Sequence, residues 1–282
     1  MMQRKPETLV EGLKFGEGPR WRDGRLWYSD FYAHHVRAVD LDGAVETIVE
    51  VPGQPSGLGW DAEGRLLIVS MLDRRLLRFD DGSLSEVADL SDRVSAPCND
   101  MVVDAKGRAY IGNFGFERHK GQDPKTTSMW RVDPDGAVHR AADDLMFPNG
   151  TVITPDGRAL VVGETFAARL TAFDIAGDGS LSNRRLWAEM EGGVPDGICL
   201  DAEGAIWVAD PRGNRVVRLL EGGRVTDEIG FGDRGAYACM LGGPDRKHLF
   251  IITNIDSGQA AADAGVGAIE VVEVDVAGAG LP

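Results

Sequence analysis

Residues 103–113 read "VDAKGRAYIGN". An Asp opens a short polar turn, a glycine closes it, and an apolar, β-rich run follows. Taken singly this is half of a hairpin. A polar turn, usually ending in glycine, and then a β-rich run recur in "WRDGRLWYSD" (21–30), "WDAEGRLLIVS" (60–70), "TPDGRALVVGE" (154–164), "LDAEGAIWVAD" (200–210) and "GPDRKHLFIIT" (243–253). With Gly24, Gly64, Gly107, Gly157, Gly204 and Lys247 as markers, the steps are 40, 43, 50, 47 and 43 residues. A recurrence of that length marks a repeat architecture.

Each copy is followed by a second hairpin, such as "SMWRVDPDGAVHRAA" (128–142) or "NRVVRLLEGGRVTDEI" (214–229). Both halves alternate apolar and polar residues around turns. Each unit therefore holds about four strands, and no segment shows a long helix of period 3.6. The predicted fold class is all-β: a six-bladed β-propeller with four-stranded blades, forming one domain over residues 1–282. The sixth unit stops after a third strand, "AIEVVEVDV" (268–276), while "ETLVEGL" (7–13) precedes the first unit as a spare strand. This N-terminal strand is expected to close the last blade and hide its edge.

Lys and Arg total 30 against 45 Asp and Glu, a net charge of −15. That balance repels nucleic acid and anionic membrane surfaces. The N-terminal residues contain no apolar run of signal-peptide or membrane-spanning length, so a cytoplasmic location is expected. Cys98, Cys199 and Cys239 are odd in number and widely spaced, and read as buried free thiols. The five histidines show no metal-binding spacing, and neither GxGxxG nor a P-loop is present.

In a propeller the first strand of each blade lines the central channel, so equivalent residues of the six strands converge. Those residues are Glu17, Ser56, Asn99, Asn149, Asp196 and Ala238. Asn and Asp also favour turns. Four Glu, Asn or Asp residues at one repeat position nevertheless describe an all-oxygen site. Its two carboxylates match a divalent cation, and oxygen ligation suits Ca²⁺, Mg²⁺ or Mn²⁺. Carboxylate sites also hold Zn²⁺.

The ordered set "GEGPRW", "CNDMVVDAKGRAYIGN", "PNGTVITPDG", "AFDIAGDGSLSNRRLWA" and "VPDGICLDAEGAIWVAD" resembles the SMP-30/gluconolactonase/LRE, or regucalcin-like, family over nearly the whole chain. The resemblance implies one divalent metal at the channel, with Ca²⁺ the first candidate, and hydrolysis of a sugar-acid lactone or a related ester. It implies metal ligation by Glu17, Asn149 and Asp196, and acid/base catalysis by Asp196. Whether Asp196 or an activated water supplies the base stays open. Substrate contacts are implied for Asn99 and for Glu117 in "GNFGFER", whose Phe114 and Phe116 are candidates for the cavity wall. Asp100 is a candidate to orient Asn99.

The chain departs from the family pattern at Pro97, where sugar-lactonase members carry an Arg, and at Met101, which replaces a glycine. Loss of a guanidinium fork points to a less hydroxylated lactone or ester. The expected partner is that small molecule, with the protein a monomer or small homo-oligomer. A metal-dependent phosphotriesterase or arylesterase-like hydrolase, and a non-catalytic calcium-binding scaffold, stay open as alternatives.

Overall fold

The computed structural model describes residues 5–282, apart from the His119 side chain. Its 24 strands form six four-stranded antiparallel sheets. Blades 1 to 5 occupy residues 16–50, 55–89, 98–145, 148–189 and 198–230. Blade 6 joins β22 (Gly235–Gly242), β23 (His248–Asn254) and β24 (Gly267–Glu273) to β1 (Glu7–Leu13). The spare N-terminal strand thus closes the ring. Glu7 pairs with Val271 and Leu13 with Gly267.

The repeated turn has a local cause. In the 103–113 copy, Asp104 Oδ1 accepts the backbone N–H groups of Lys106 (2.9 Å) and Arg108 (3.0 Å). Gly107 takes φ +77°, which a residue with a side chain rarely adopts. Asp61 and Asp201 hold their turns in the same way. In the sixth copy the left-handed position falls on Arg246 (φ 58°), one residue before the Lys247 marker. The true repeat register therefore runs through Arg246.

The inner strands are β2 (Gly16–Arg22), β6 (Pro55–Trp60), β10 (Cys98–Val103), β14 (Pro148–Ile153), β18 (Ile198–Leu200) and β22. Strands β10, β14 and β22 are buried at every residue, whereas the outer strand β5 (Val45–Glu50) is mostly exposed. The core is divided among the blade interfaces. One apolar cluster joins blades 1 and 2, another blades 2 and 3, a third blades 3 and 4, and a fourth blades 4 and 5. The largest spans blades 5, 6 and 1 and includes Leu13 of the closing strand. Each blade therefore depends on its neighbours for burial.

At the far end of the channel, Leu281 exchanges backbone hydrogen bonds with Ile153, and Ala279 N–H donates to Leu200 O. Leu281 and Pro282 join Arg20, Trp21 and Trp60 around a second cavity there. All three cysteines are free and buried. Among the described residues no helix is long and apolar enough to cross a membrane.

Leu13 is fully buried at the closure. Leu13→Ala is expected to lower unfolding free energy by about 2–5 kcal/mol in a denaturant titration. Val45→Ala, on an exposed outer strand, should cost under about 0.5 kcal/mol. Equal effects would mean that β1 is not holding the ring closed.

Candidate metal centre and substrate cavity

All inner strands begin at one end of the channel, so their first residues meet there. Glu17, Ser56, Asn99, Asn149 and Asp196 line one cavity of about 300 Å³. The sixth ring position, Ala238, is fully buried, and its neighbour Tyr237 faces the cavity in its place.

The main chain locks this ring. Gly150 N–H donates to Asp196 O (3.1 Å), and Gly197 N–H donates to Tyr237 O (2.8 Å), tying blades 4, 5 and 6 together. A Cβ on Gly150 would lie 2.5 Å from Ile198 N and 2.6 Å from Asp196 O. The glycine after Asn149 is therefore required by the spacing between blades.

Side-chain hydrogen bonds then set the direction of each amide. Asn149 Nδ2 donates to Thr165 Oγ1 (3.2 Å), which donates to Pro195 O (2.8 Å). This commits the nitrogen end, and Asn149 Oδ1 is left buried without a hydrogen-bond partner. Asp196 Oδ1 is in the same state. Asn99 Nδ2 donates to Pro148 O (3.3 Å), leaving its oxygen end for a ligand. Buried polar atoms without partners are costly and uncommon, and two in one cavity point to a missing ligand.

The charges agree. Burial, followed by the Asp196 and Asp100 charges, pushes the Glu17 carboxyl well above the usual carboxylate range. Burial pushes Asp196 up to about 7, against opposing contributions from Asn149 and Arg118. Among the described residues neither Glu17 nor Asp196 has an ion-pair partner. Arg20 lies beneath the ring but is fully engaged elsewhere. Its Nη2 donates to Asp100 Oδ1 and Met101 O (both 2.6 Å), and its Nε donates to Leu58 O (2.9 Å). Among the described residues no three His, Cys, Asp or Glu side chains form a metal-holding group. The ring instead combines two carboxylates with amide oxygens, a donor set that fits a hard divalent cation.

The remaining sequence candidates fall in different places. Asp100 does not line the cavity, and its carboxylate serves as the buried counter-ion of Arg20. Glu117 also lies outside the cavity lining and sits 3.4 Å from Lys120. Its neighbour Arg118 lines the cavity instead. Phe114 lines the wall, and Phe116 packs edge-on behind it against Phe166. The His119 side chain lies outside the described residues. Sequence reasoning missed Arg118, Phe147, Phe166 and Tyr237. The only signal for Arg118 was its place in the "GNFGFER" loop, and the aromatic residues carry no repeat-wide signature.

Residues 15–255 match the family model for the SMP-30/Gluconolactonase/LRE-like region, and the chain belongs to this family. It is similar to regucalcin of Danio rerio, with 29% identity over 266 residues covering 89% of this chain and 87% of that protein. It is also similar to 6-deoxy-6-sulfogluconolactonase of Pseudomonas putida, with 29% identity over 265 residues covering 91% and 87% of the two chains. Among solved structures, a gluconolactonase of Xanthomonas campestris superposes with a TM-score of 0.76 at 27% identity, covering 95% of this chain and 89% of that one.

A carboxyl whose pKa is higher in the folded state makes that state bind protons more tightly than the unfolded chain. Its stability contribution therefore falls as pH rises from the unfolded value of about 4 to the Asp196 value of about 7. In chelator, Asp196→Asn should melt several degrees above the parent at pH 8, and the gap should narrow toward pH 4. Differential scanning fluorimetry reads this directly. A gap independent of pH would contradict the electrostatic account.

Proposed function

We propose that this protein hydrolyses a small lactone, with a divalent cation held by Glu17, Asn149 and Asp196 at the floor of the cavity. The observation that carries this reading is that one cavity is lined by two carboxylates with no ion-pair partner among the described residues and by a buried amide oxygen with no hydrogen-bond partner. Relatives named as a sulfogluconolactonase and a gluconolactonase supply the reaction class. The all-oxygen donor set favours Ca²⁺, with Mg²⁺, Mn²⁺ and Zn²⁺ as alternatives. Bound there, the cation would supply Lewis acidity toward the ester carbonyl and toward water.

The chain's own residues complete the chemistry. Asn99, its N–H committed to Pro148 O, accepts a hydrogen bond from the attacking water or from a substrate hydroxyl. Asp196 takes a proton on its carboxylate as the water oxygen bonds to the carbonyl carbon. The ring C–O bond then breaks, the proton passes to the leaving alkoxide, and a hydroxy acid results. The aromatic walls exclude bulk water and so strengthen the electrostatic interactions at the floor.

The test is to strip divalent ions, then restore them one at a time while following acid release from a panel of lactones. Hydrolysis should disappear in chelator and return with an oxygen-preferring ion. Asn149→Ala should raise the ion concentration needed for half-maximal rate by at least about tenfold. It should leave the circular-dichroism spectrum unchanged. Full hydrolysis in chelator would overturn the metal-dependent reading.

A further inference from the structure

The cavity has two aromatic walls. On one side Phe114 stacks on Phe147 with centroids 4.5 Å apart, and Phe166 lies 5.1 Å from Phe147. On the other, Phe15 meets Phe31 at 4.8 Å and Tyr237 at 4.7 Å. The first group belongs to blades 3 and 4, the second to blades 1 and 6. In a six-membered ring these pairs face each other. A ligand seated over Asn149 and Asp196 therefore has its body between two aromatic faces, and the polar lining residues lie at the floor and the rim.

Two guanidiniums, Arg118 and Arg212, line the same cavity from exposed loops. Arg118 follows β11 (Ala109–Asn113), and Arg212 follows β19 (Ile206–Asp210). Among the described residues neither has a carboxylate within ion-pair distance, although the chain carries a net charge of −15. The Arg118 loop is tethered. Asn113 Oδ1 accepts Gly115 N–H (3.0 Å) and Thr127 Oγ1–H (2.7 Å), and Phe114 N–H donates to Pro97 O (3.0 Å). The side chain itself is held loosely. Arg118 Nη1 reaches Ser257 Oγ at 3.4 Å, the long limit of a hydrogen bond. The lining acid next to Ser257, Asp256, turns Oδ1 toward Ser257 N–H (2.6 Å).

Resting on the lactonase reading above, we infer that the preferred substrate is a sparsely hydroxylated lactone bearing a carboxylate. Its apolar body lies between the two phenylalanine walls, and its carboxylate exchanges Ser257 for the fork of Arg118, with Arg212 adding to the local positive field. A planar guanidinium matches a carboxylate with two parallel hydrogen bonds. The arginine loop thus supplies, from residue 118, a guanidinium to a cavity whose position 97 is proline. The small cavity favours a short molecule, one end at the oxygen ring and the other at the rim.

The test compares a γ-lactone carrying an acetic acid side chain with its uncharged carboxamide, using ion-loaded protein. At low ionic strength the acid should show a kcat/KM at least about tenfold above the amide. In Arg118→Gln that ratio should fall toward one, and Arg118→Lys should retain part of it. A ratio near one in the parent protein overturns the inference while leaving lactone hydrolysis standing. If neither lactone is hydrolysed, the lactonase reading fails separately, and calorimetry with the hydroxy-dicarboxylate product decides. Binding weakened about tenfold in Arg118→Gln supports the site, and absence of binding overturns it.

Discussion

The structure depends on a single pairing, that of β1 with β24. A propeller blade cannot bury its faces alone, and the largest apolar cluster spans the seam between blades 5, 6 and 1. Glu17 stands on blade 1, Asn149 on blade 4 and Asp196 at the start of blade 5. They are neighbours in space only because the seam is closed. Residues 7–13 therefore govern the geometry of a site they do not touch. A disturbance at the outer edge of blade 6 would reach the ring through Gly197 and Tyr237, whose backbone hydrogen bond joins blades 5 and 6.

Within the closed ring the main tension is electrostatic. The fold brings Glu17 and Asp196 together and, among the described residues, gives neither an ion-pair partner. Arg20 was available in the same channel, but three of its donors are spent on Asp100, Met101 and Leu58. An arginine bonded to the two carboxylates would have neutralised them permanently and filled the site. Keeping it below the ring leaves an unmet demand for positive charge that an exchangeable ion can meet. Active sites commonly carry such local costs, which the rest of the fold supports.

The sequence showed what is periodic. A polar turn followed by an apolar run recurs six times, with glycine closing the turn in five copies, so the blades, their order and the closing strand were all legible. The ring was legible for the same reason, since equivalent positions must converge. Asp100 was not, because its partner Arg20 is 80 residues away and no repeat rule links them. The slip at Lys247 arose because Arg246 adopts a conformation usually left to glycine. Arg118, Phe147 and Phe166 lie in connections whose lengths differ from blade to blade, and periodicity does not constrain them. The framework can therefore be read from pattern, while much of the cavity wall is written in the segments that break it.

That division bears on how an anionic substrate would approach. The chain as a whole carries −15 and repels anions at long range, while Arg118 and Arg212 attract them only near the mouth. At about 0.1 M salt the screening length is about 10 Å. Distant repulsion is then largely screened, whereas a contact inside a partly dry cavity is screened much less. Lower ionic strength would slow arrival while strengthening the bound ion pair. For a carboxylate-bearing ligand the two effects oppose each other, so KM alone can hide the arginine contribution. The acid-to-amide ratio remains informative after arginine removal, because deleting one rim charge from an excess of fifteen negative charges barely alters the distant field but removes the local contact.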